Sequence, residues 1–268
     1  MTYVHFFGYQ IMSETVTTSI SQVFPDSILV KGYDLVAMIG RYRFGDVVYL
    51  LMTGDLPAGR EGEMMEAMLV ASAEHSINAP SVHAARTVAG CGVPMQSAMA
   101  AGVSAIGDYH GGAGEACARI LQDALQQHPH EDIAALAESL VVDFRQRKAR
   151  LPGFGHRFHT PADPRSQRLL ALADAWEISG PHVALARAIE RALERSLGRP
   201  LPMNVDGAMA AILSDMGVDW RFNKAVFIIA RTVGLAAHVH EEMTTGRPLA
   251  FAGKRTIRYT GPARRPLP

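Results

Sequence analysis

The stretch DIAALAESLVVDFRQRK, Asp132 to Lys148, sets the fold class. Ile133, Leu136, Leu140 and Phe144 recur three and four apart and draw one apolar face. That period belongs to an amphipathic helix. The same reading extends outward in both directions. Between Glu61 and Glu74, Met64, Met65, Met68 and Leu69 keep helical spacing. From Ala184 to Leu197, Leu185, Ile189 and Leu193 lie four apart. No run alternates apolar and polar residues for long enough to demand a sheet, although a short hairpin around Ser27 to Gly32 is compatible with the sequence. The chain therefore reads as mostly helical.

Composition narrows the function classes. Of 268 residues, 48% are apolar, enough for a sizeable core. Lys plus Arg equals Asp plus Glu at 26 each, so no global field draws the chain to nucleic acid or to an anionic membrane. Anionic ligands must then be held by local cations. No stretch reads as a secretion signal, and none reads as long enough to cross a bilayer. Cys91 and Cys117 lack metal-ligand spacing and suit a reducing, cytoplasmic compartment. There is no G-x-S-x-G elbow, no P-loop, no G-x-G-x-x-G after a strand and no metal-binding cluster. The chemistry left is acid–base work by His and Asp, with Arg to hold anions.

Breaker-rich loops carry the candidates. His110 stands before Gly111-Gly112, where a ligand or another backbone can approach closely. His156 ends the run Leu151-Pro152-Gly153-Phe154-Gly155-His156, which continues to Asp163-Pro164-Arg165. His75 precedes Ser76-Ile77-Asn78-Ala79-Pro80, a helix end and turn. Asp206, in Asn204-Val205-Asp206-Gly207, precedes an apolar helix from Ala208 to Met216 and reads either as its N-cap or as a base. Arg231 interrupts the apolar run Val226 to Leu235. A cation there needs a partner, either a structural carboxylate or that of a substrate. Gly90 to Gly114 is rich in Ala, Gly and Ser and suits a tight helix contact, within the chain or across a dimer. The basic, Pro-rich tail from Gly253 reads by itself as a solvated terminus.

Taken together, these motifs resemble the citrate synthase superfamily. His-Gly-Gly-Ala-x-Glu at His110, Pro-Gly-Phe-Gly-His-Arg with Asp-Pro-Arg from Pro152 to Arg165, and Asn-Val-Asp at Asp206 stand in that family's order. His75, Asn78 and Ser81 resemble its His-x-x-Asn-x-Ser. Arg231, Gly234 and Ala237-His238 resemble its Arg-x-x-Gly-x-x-Ala-His. The resemblance spans roughly Ile28 to Gly261. It implies an all-α, two-domain fold with the site in the cleft. Residues 1–110 plus 221–268 would form the large domain and 111–220 the small one. It also implies a homodimer, no bound cofactor or metal, and CoA thioester and 2-oxo acid substrates: acetyl-CoA or citryl-CoA, with oxaloacetate or a relative. Asp206 would be the base, His110 the enolate donor and His156 the group that polarises the oxo carbonyl. His75, Arg165 and Arg231 would hold carboxylates, joined across the dimer by Lys254 or Arg255. The backbone of Pro152, Gly153, Phe154 and Gly155 would line the CoA adenine pocket. The chain is short, like stand-alone citryl-CoA lyases, and Ile106-Gly107-Asp108 and Asn204 to Gly207 resemble that branch. Thr160 or Pro161 stands where the family usually has a cation for the CoA phosphate. The rival reading from another class is a non-catalytic acyl-CoA or dicarboxylate sensor on the same fold. A methylcitrate-type synthase is a third.

Overall fold

The computed structural model describes residues 4–6, 9–11, 15–156, 162–249, 258, 260–261 and 263–266. Two small antiparallel sheets come first. One pairs β1 (Val4–Phe6) with β2 (Tyr9–Ile11). The other orders β3 (Ser21–Val23), β4 (Ile28–Val30) and β5 (Tyr33–Asp34) side by side. The hairpin expected around Ser27 to Gly32 is the β4–β5 pair. Its Lys31-Gly32 turn puts both residues at positive φ, 50° and 86°, as a two-residue hairpin loop requires.

Helices form the rest: α1 (Leu35–Met38), α2 (Phe44–Thr53), α3 (Glu61–Ala73), α4 (Pro80–Ala89), α5 (Met95–Ser104), α6 (Ala113–Gln127), α7 (Ile133–Gln146), α8 (Pro164–Ala175), α9 (Pro181–Leu197), α10 (Val205–Asp215) and α11 (Asn223–Thr245), with a 3-10 turn at Trp220–Phe222. The all-α class follows. In α7, the Asp132 side chain caps the amides of Ala134 and Ala135 at 3.0 Å each. Its inward stripe is Leu136, Ala137 and Val141, turned against α9, so Ile133, Leu140 and Phe144 flank the contact rather than centre it.

From Gly207 to Leu213 the helix α10 is apolar on every side and sits at the middle of the larger core. Met209, Ile212 and Leu213 are each at most 2% exposed, enclosed by α6, α8 and α9. Burying each such side chain stabilises the fold by roughly 1.5–3 kcal/mol. A second cluster joins Val82 and Ala85 of α4, Ala98 of α5, and Leu235 and Val239 of α11. The small-residue segment acts inside the chain here. A Cβ on Gly102 would lie 3.0 Å from both Ala85 and Leu235, so the glycine lets α5 press against α4 and α11.

One expectation is corrected. The stretch Trp220–Thr245 is long and apolar enough, by length and composition, to cross a membrane. Arg231 divided that run in the sequence. In the fold α11 packs against α3, α4 and α5 and buries Val226, Ala230, Leu235 and Val239, as a core helix does.

Candidate active site

The site is assembled where α6, α8 and α10 begin, facing the middle of α11. At α10 the cap is Asn204, whose side-chain oxygen accepts from the Gly207 amide at 3.1 Å. Asp206 is therefore not the cap. It lies in the first helical turn and its carboxyl is free for other work.

The loop Pro152–Gly155 is stitched to the residues before α10. Gly155 N–H donates to Pro202 O at 2.7 Å, Asn204 N–H to Gly153 O at 3.0 Å, and the Asn204 side-chain amide to Gly155 O at 2.8 Å. Gly153 has φ +86°, and a Cβ there would lie 2.8 Å from both Cys117 Sγ and Gly207 Cα. Only a glycine meets that conformation and that spacing together. The Pro152–Gly155 loop and the segment Pro202 to Asn204 are thus one structure.

Asp206 is half-buried, and burial pushes its carboxyl above the ordinary carboxylate value. Arg165 and Arg231 pull it down and Asp163 pushes it up, with the balance upward. On α8, Asp163 caps the helix and grips Arg165 at two points, Nε to Oδ1 at 3.2 Å and Nη2 to Oδ2 at 2.9 Å.

His110 leaves a tight loop closed by reciprocal Gly107 and His110 backbone bonds of 2.9 Å. Its Nε2 lies 2.8 Å from Ser81 Oγ, and its ring meets Phe227 edge-on at 5.9 Å. Burial, then the charge of Arg231, hold the imidazole below its ordinary value. A neutral imidazole can give a hydrogen bond to an oxygen that becomes negative without surrendering its own charge balance.

Arg231 is 3% exposed. Its Nε donates to Ser72 O at 3.2 Å and its guanidinium carbon stands 4.9 Å from the Phe227 ring centre. Among the described residues no carboxylate forms a salt bridge with it. Glu74 and Asp206 act on it from further off, and Glu74 is engaged by His238 Nε2 at 3.2 Å. Burial lowers its proton affinity. An arginine so placed lacks the close anion that normally offsets burial.

His75 and His156 meet each other, their rings 5.7 Å apart and nearly perpendicular at 77°. Charge interactions thus link Arg165, Asp206, Arg231 and His110, while His75 follows Glu74, whose charge acts on Arg231, and His156 ends the Pro152–Gly155 loop. Lys254 and Arg255, and Thr160 and Pro161, lie outside the described residues. The sequence reading missed Asp163, Ser72 and Phe227 as members. Asp163 had a visible signal, since it opens Asp-Pro-Arg, but its bond to the Val205 amide joins residues 42 apart in sequence. Among the described residues no group of His, Cys, Asp and Glu could hold a metal ion. A surface cavity of about 400 Å³ between α6 and the start of α11, lined by Asp108, Glu115, Arg119, Trp220 and Lys224, contains none of the candidate residues. It is not the site described here.

With that geometry in place, three comparisons bear on the chain. The family described as "Citrate synthase, C-terminal domain" matches residues 59–259. The structure of citryl-CoA lyase from Hydrogenobacter thermophilus is 39% identical, with a TM-score of 0.87, over 95% of this chain and 98% of that one. ATP citrate lyase from Methanothrix soehngenii, at 22% identity and TM-score 0.80 over 94% of this chain and 43% of that one, shares the fold. Among curated proteins, "Putative citrate synthase 2" of Mycobacterium tuberculosis (strain CDC 1551 / Oshkosh) is 32% identical over 218 residues, 78% of this chain and 54% of that one. "Citrate/2-methylcitrate synthase" of Bacillus subtilis (strain 168) is 30% identical over 215 residues, 79% of this chain and 55% of that one. The chain spans about half the length of the curated relatives it matches.

Proposed function

The chain belongs to the citrate synthase family, and on that premise we propose that it makes or breaks the carbon–carbon bond between acetyl-CoA and oxaloacetate, with citryl-CoA cleavage as the favoured direction. The observation that carries this reading is the placement of Asp206 in the first turn of α10, facing Arg165 and Arg231, with His110 beside Arg231 across Phe227. One proton-transfer group, one neutral donor and two cations are what the reaction requires.

In the synthetic sense Asp206 takes a proton from the carbon beside the thioester carbonyl. His110 hydrogen-bonds the oxygen on which charge develops. His156 polarises and protonates the 2-oxo carbonyl as the bond forms. Arg165, Arg231 and His75 hold carboxylates, and the Pro152–Gly155 loop borders the CoA adenine. Cleavage runs the same steps backward, so Asp206 must then deliver a proton. Its raised proton affinity suits that role, and the near-full-length likeness to a citryl-CoA lyase supports the same direction. The two-domain division, 1–110 plus 221–268 and 111–220, puts His110 at the junction; the larger core cluster crosses that boundary. A homodimer is part of the reading, with the exposed Val233 on α11 as a candidate contact. Sedimentation of a monomer alone at micromolar concentration would remove it, together with a cross-subunit role for Lys254 or Arg255.

The test is an assay of purified protein with citryl-CoA, following oxaloacetate and acetyl-CoA, and with acetyl-CoA plus oxaloacetate, following citryl-CoA and, where water then cleaves the citryl thioester, free CoA and citrate. Turnover of either is expected, the first faster. Ligand binding with no turnover of either would favour the sensor reading. The Bacillus subtilis relative named a citrate/2-methylcitrate synthase makes propionyl-CoA the natural third substrate to include.

A further inference from the structure

Asp163 is wholly buried and takes no part in the chemistry set out above. Its carboxylate nonetheless has four hydrogen bonds. Oδ1 accepts from the Arg165 amide at 3.0 Å and from Arg165 Nε at 3.2 Å. Oδ2 accepts from Arg165 Nη2 at 2.9 Å and from the Val205 amide at 3.1 Å. The first three bonds belong to α8. The fourth crosses to α10 and takes hold of the residue immediately before Asp206. One carboxylate therefore fixes the rotamer of an anion-binding arginine and the position of the helix turn that carries the proton-transfer group.

A cap alone would need one oxygen and one amide. A surface ion pair would leave the guanidinium free to sample rotamers. Here both oxygens are used twice, and the two-point grip prevents the guanidinium plane from turning. Burial works against the Asp163 charge, but the Arg165 contacts and the amides hold this carboxyl below the ordinary range. It stays ionised at neutral pH.

We propose that Asp163 is a positioning residue, whose carboxylate locks Arg165 and the first turn of α10 into one unit so that guanidinium and Asp206 meet the substrate in a fixed relation. The proposal rests on the carbon–carbon chemistry assigned above. It has an electrostatic consequence as well. The charged or titratable groups acting on Asp206 are Arg165 and Asp163 from α8, Arg231 from α11 and the Cys117 thiol from α6. Removing the Asp163 charge takes away a neighbour that raises Asp206 and frees Arg165 to attract it more strongly. Both changes lower the proton affinity of Asp206. In synthesis Asp206 must be unprotonated and sets the acid limb; in cleavage it must be protonated and sets the alkaline limb. Either limb moves to lower pH.

The experiment compares Asp163→Asn and Asp163→Glu with the wild-type protein. Asp163→Asn is expected to raise KM for the carboxylate substrate about tenfold, the worth of one charge-assisted contact, and to move the Asp206 limb down by on the order of one pH unit. Asp163→Glu keeps the charge but shifts the grip, so KM rises while the limb stays near its wild-type pH. In an Arg165→Leu background, Asp163→Asn should add little to KM. A residue with a scaffold role only would lower the melting temperature and leave KM and the limb unchanged, and that result overturns the proposal. So does full additivity with Arg165→Leu. If Asp163→Asn does not fold, an unchanged KM in Asp163→Glu overturns it equally. Should the wild-type protein turn over neither substrate, the functional reading fails by itself. NMR titration of the Asp206 carboxyl in the same variants then decides, a lower midpoint in Asp163→Asn supporting the proposal and an unchanged one refuting it.

Discussion

Two arginines face the same carboxylate from different parts of the molecule, and the fold treats them in opposite ways. At the start of α8, Arg165 is gripped at two points by a buried aspartate. In the middle of α11, Arg231 is 3% exposed yet has, among the described residues, a backbone carbonyl and an aromatic ring for company. Arg165, with its own carboxylate, has its charge offset before any ligand arrives. Arg231, without one, is costly to keep, because among the described residues the desolvation of its charge is offset only from a distance, by Glu74 and Asp206. The fold bears that cost at the point where a substrate carboxylate would repay it. On the proposed reading both arginines meet substrate carboxylates, Arg165 from a position already set by Asp163 and Arg231 as the one whose charge the substrate offsets.

The largest expected effect is on the carboxylate between them. Asp206→Asn should lower turnover roughly 10²–10⁴-fold, the usual worth of a positioned proton-transfer group. Oxaloacetate binding, followed by calorimetry, should stay close to wild type, since the arginines remain. Near-wild-type turnover would take Asp206 out of the chemistry and leave the comparison without its centre.

The next effect falls on the α8–α10 corner, which depends on close backbone approach. Gly153→Ala adds a Cβ 2.8 Å from Cys117 Sγ and Gly207 Cα, at φ +86°. Chemical denaturation should show a loss of about 2–4 kcal/mol, from strain and overpacking together. Gly198→Ala, at φ +65° with nothing within 4 Å, is the control and should lose about 1 kcal/mol. Equal losses would mean that backbone conformation, and not the packing of the loop on α10, governs the corner.

The smallest effect is in stability against pH, where two aspartates should differ in sign. The folded state depresses Asp163, so its contribution is present above the unfolded carboxylate value and is lost as pH falls through the folded one. Asp206 is raised, so between its unfolded and folded values the native state binds the extra proton, and stability declines as pH rises through that window. Asp206→Asn should therefore melt slightly higher than wild type at neutral pH, while Asp163→Asn melts lower. A lower melting temperature for both would make the two carboxyls alike and erase the contrast.

Much of the fold is legible in the sequence, for a physical reason. Periodicity reports a helix face locally, so α3, α7 and α9 are visible in Met64 to Leu69, in Ile133 to Phe144 and in Leu185 to Leu193. The motif residues are visible because their chemistry is distinctive. What escapes depends on partners distant in sequence or on near-equivalent neighbours. Asn204 and Asp206 are both good caps two residues apart, and only the bond to Gly207 decides between them. Asp163 looks like an ordinary helix cap until its second oxygen is seen to reach Val205, 42 residues on. The length of α11 is hidden by Arg231, which breaks the apolar run in sequence but not in space.

The most direct test of the central claim, that Arg231 is held in readiness for a substrate carboxylate, is thermal unfolding of wild type and Arg231→Leu with and without oxaloacetate. Leu suits the apolar surroundings of Val226 to Leu235, and no salt-bridged carboxylate among the described residues is stranded by the change. The expected melting temperature is within about 4 °C of wild type, on the order of 1 kcal/mol at this size. The ligand-induced rise should be lost, with binding weakened by about 1.5–3 kcal/mol. A variant that melts far lower yet keeps the full oxaloacetate shift would show that Arg231 serves the fold, and would contradict the claim.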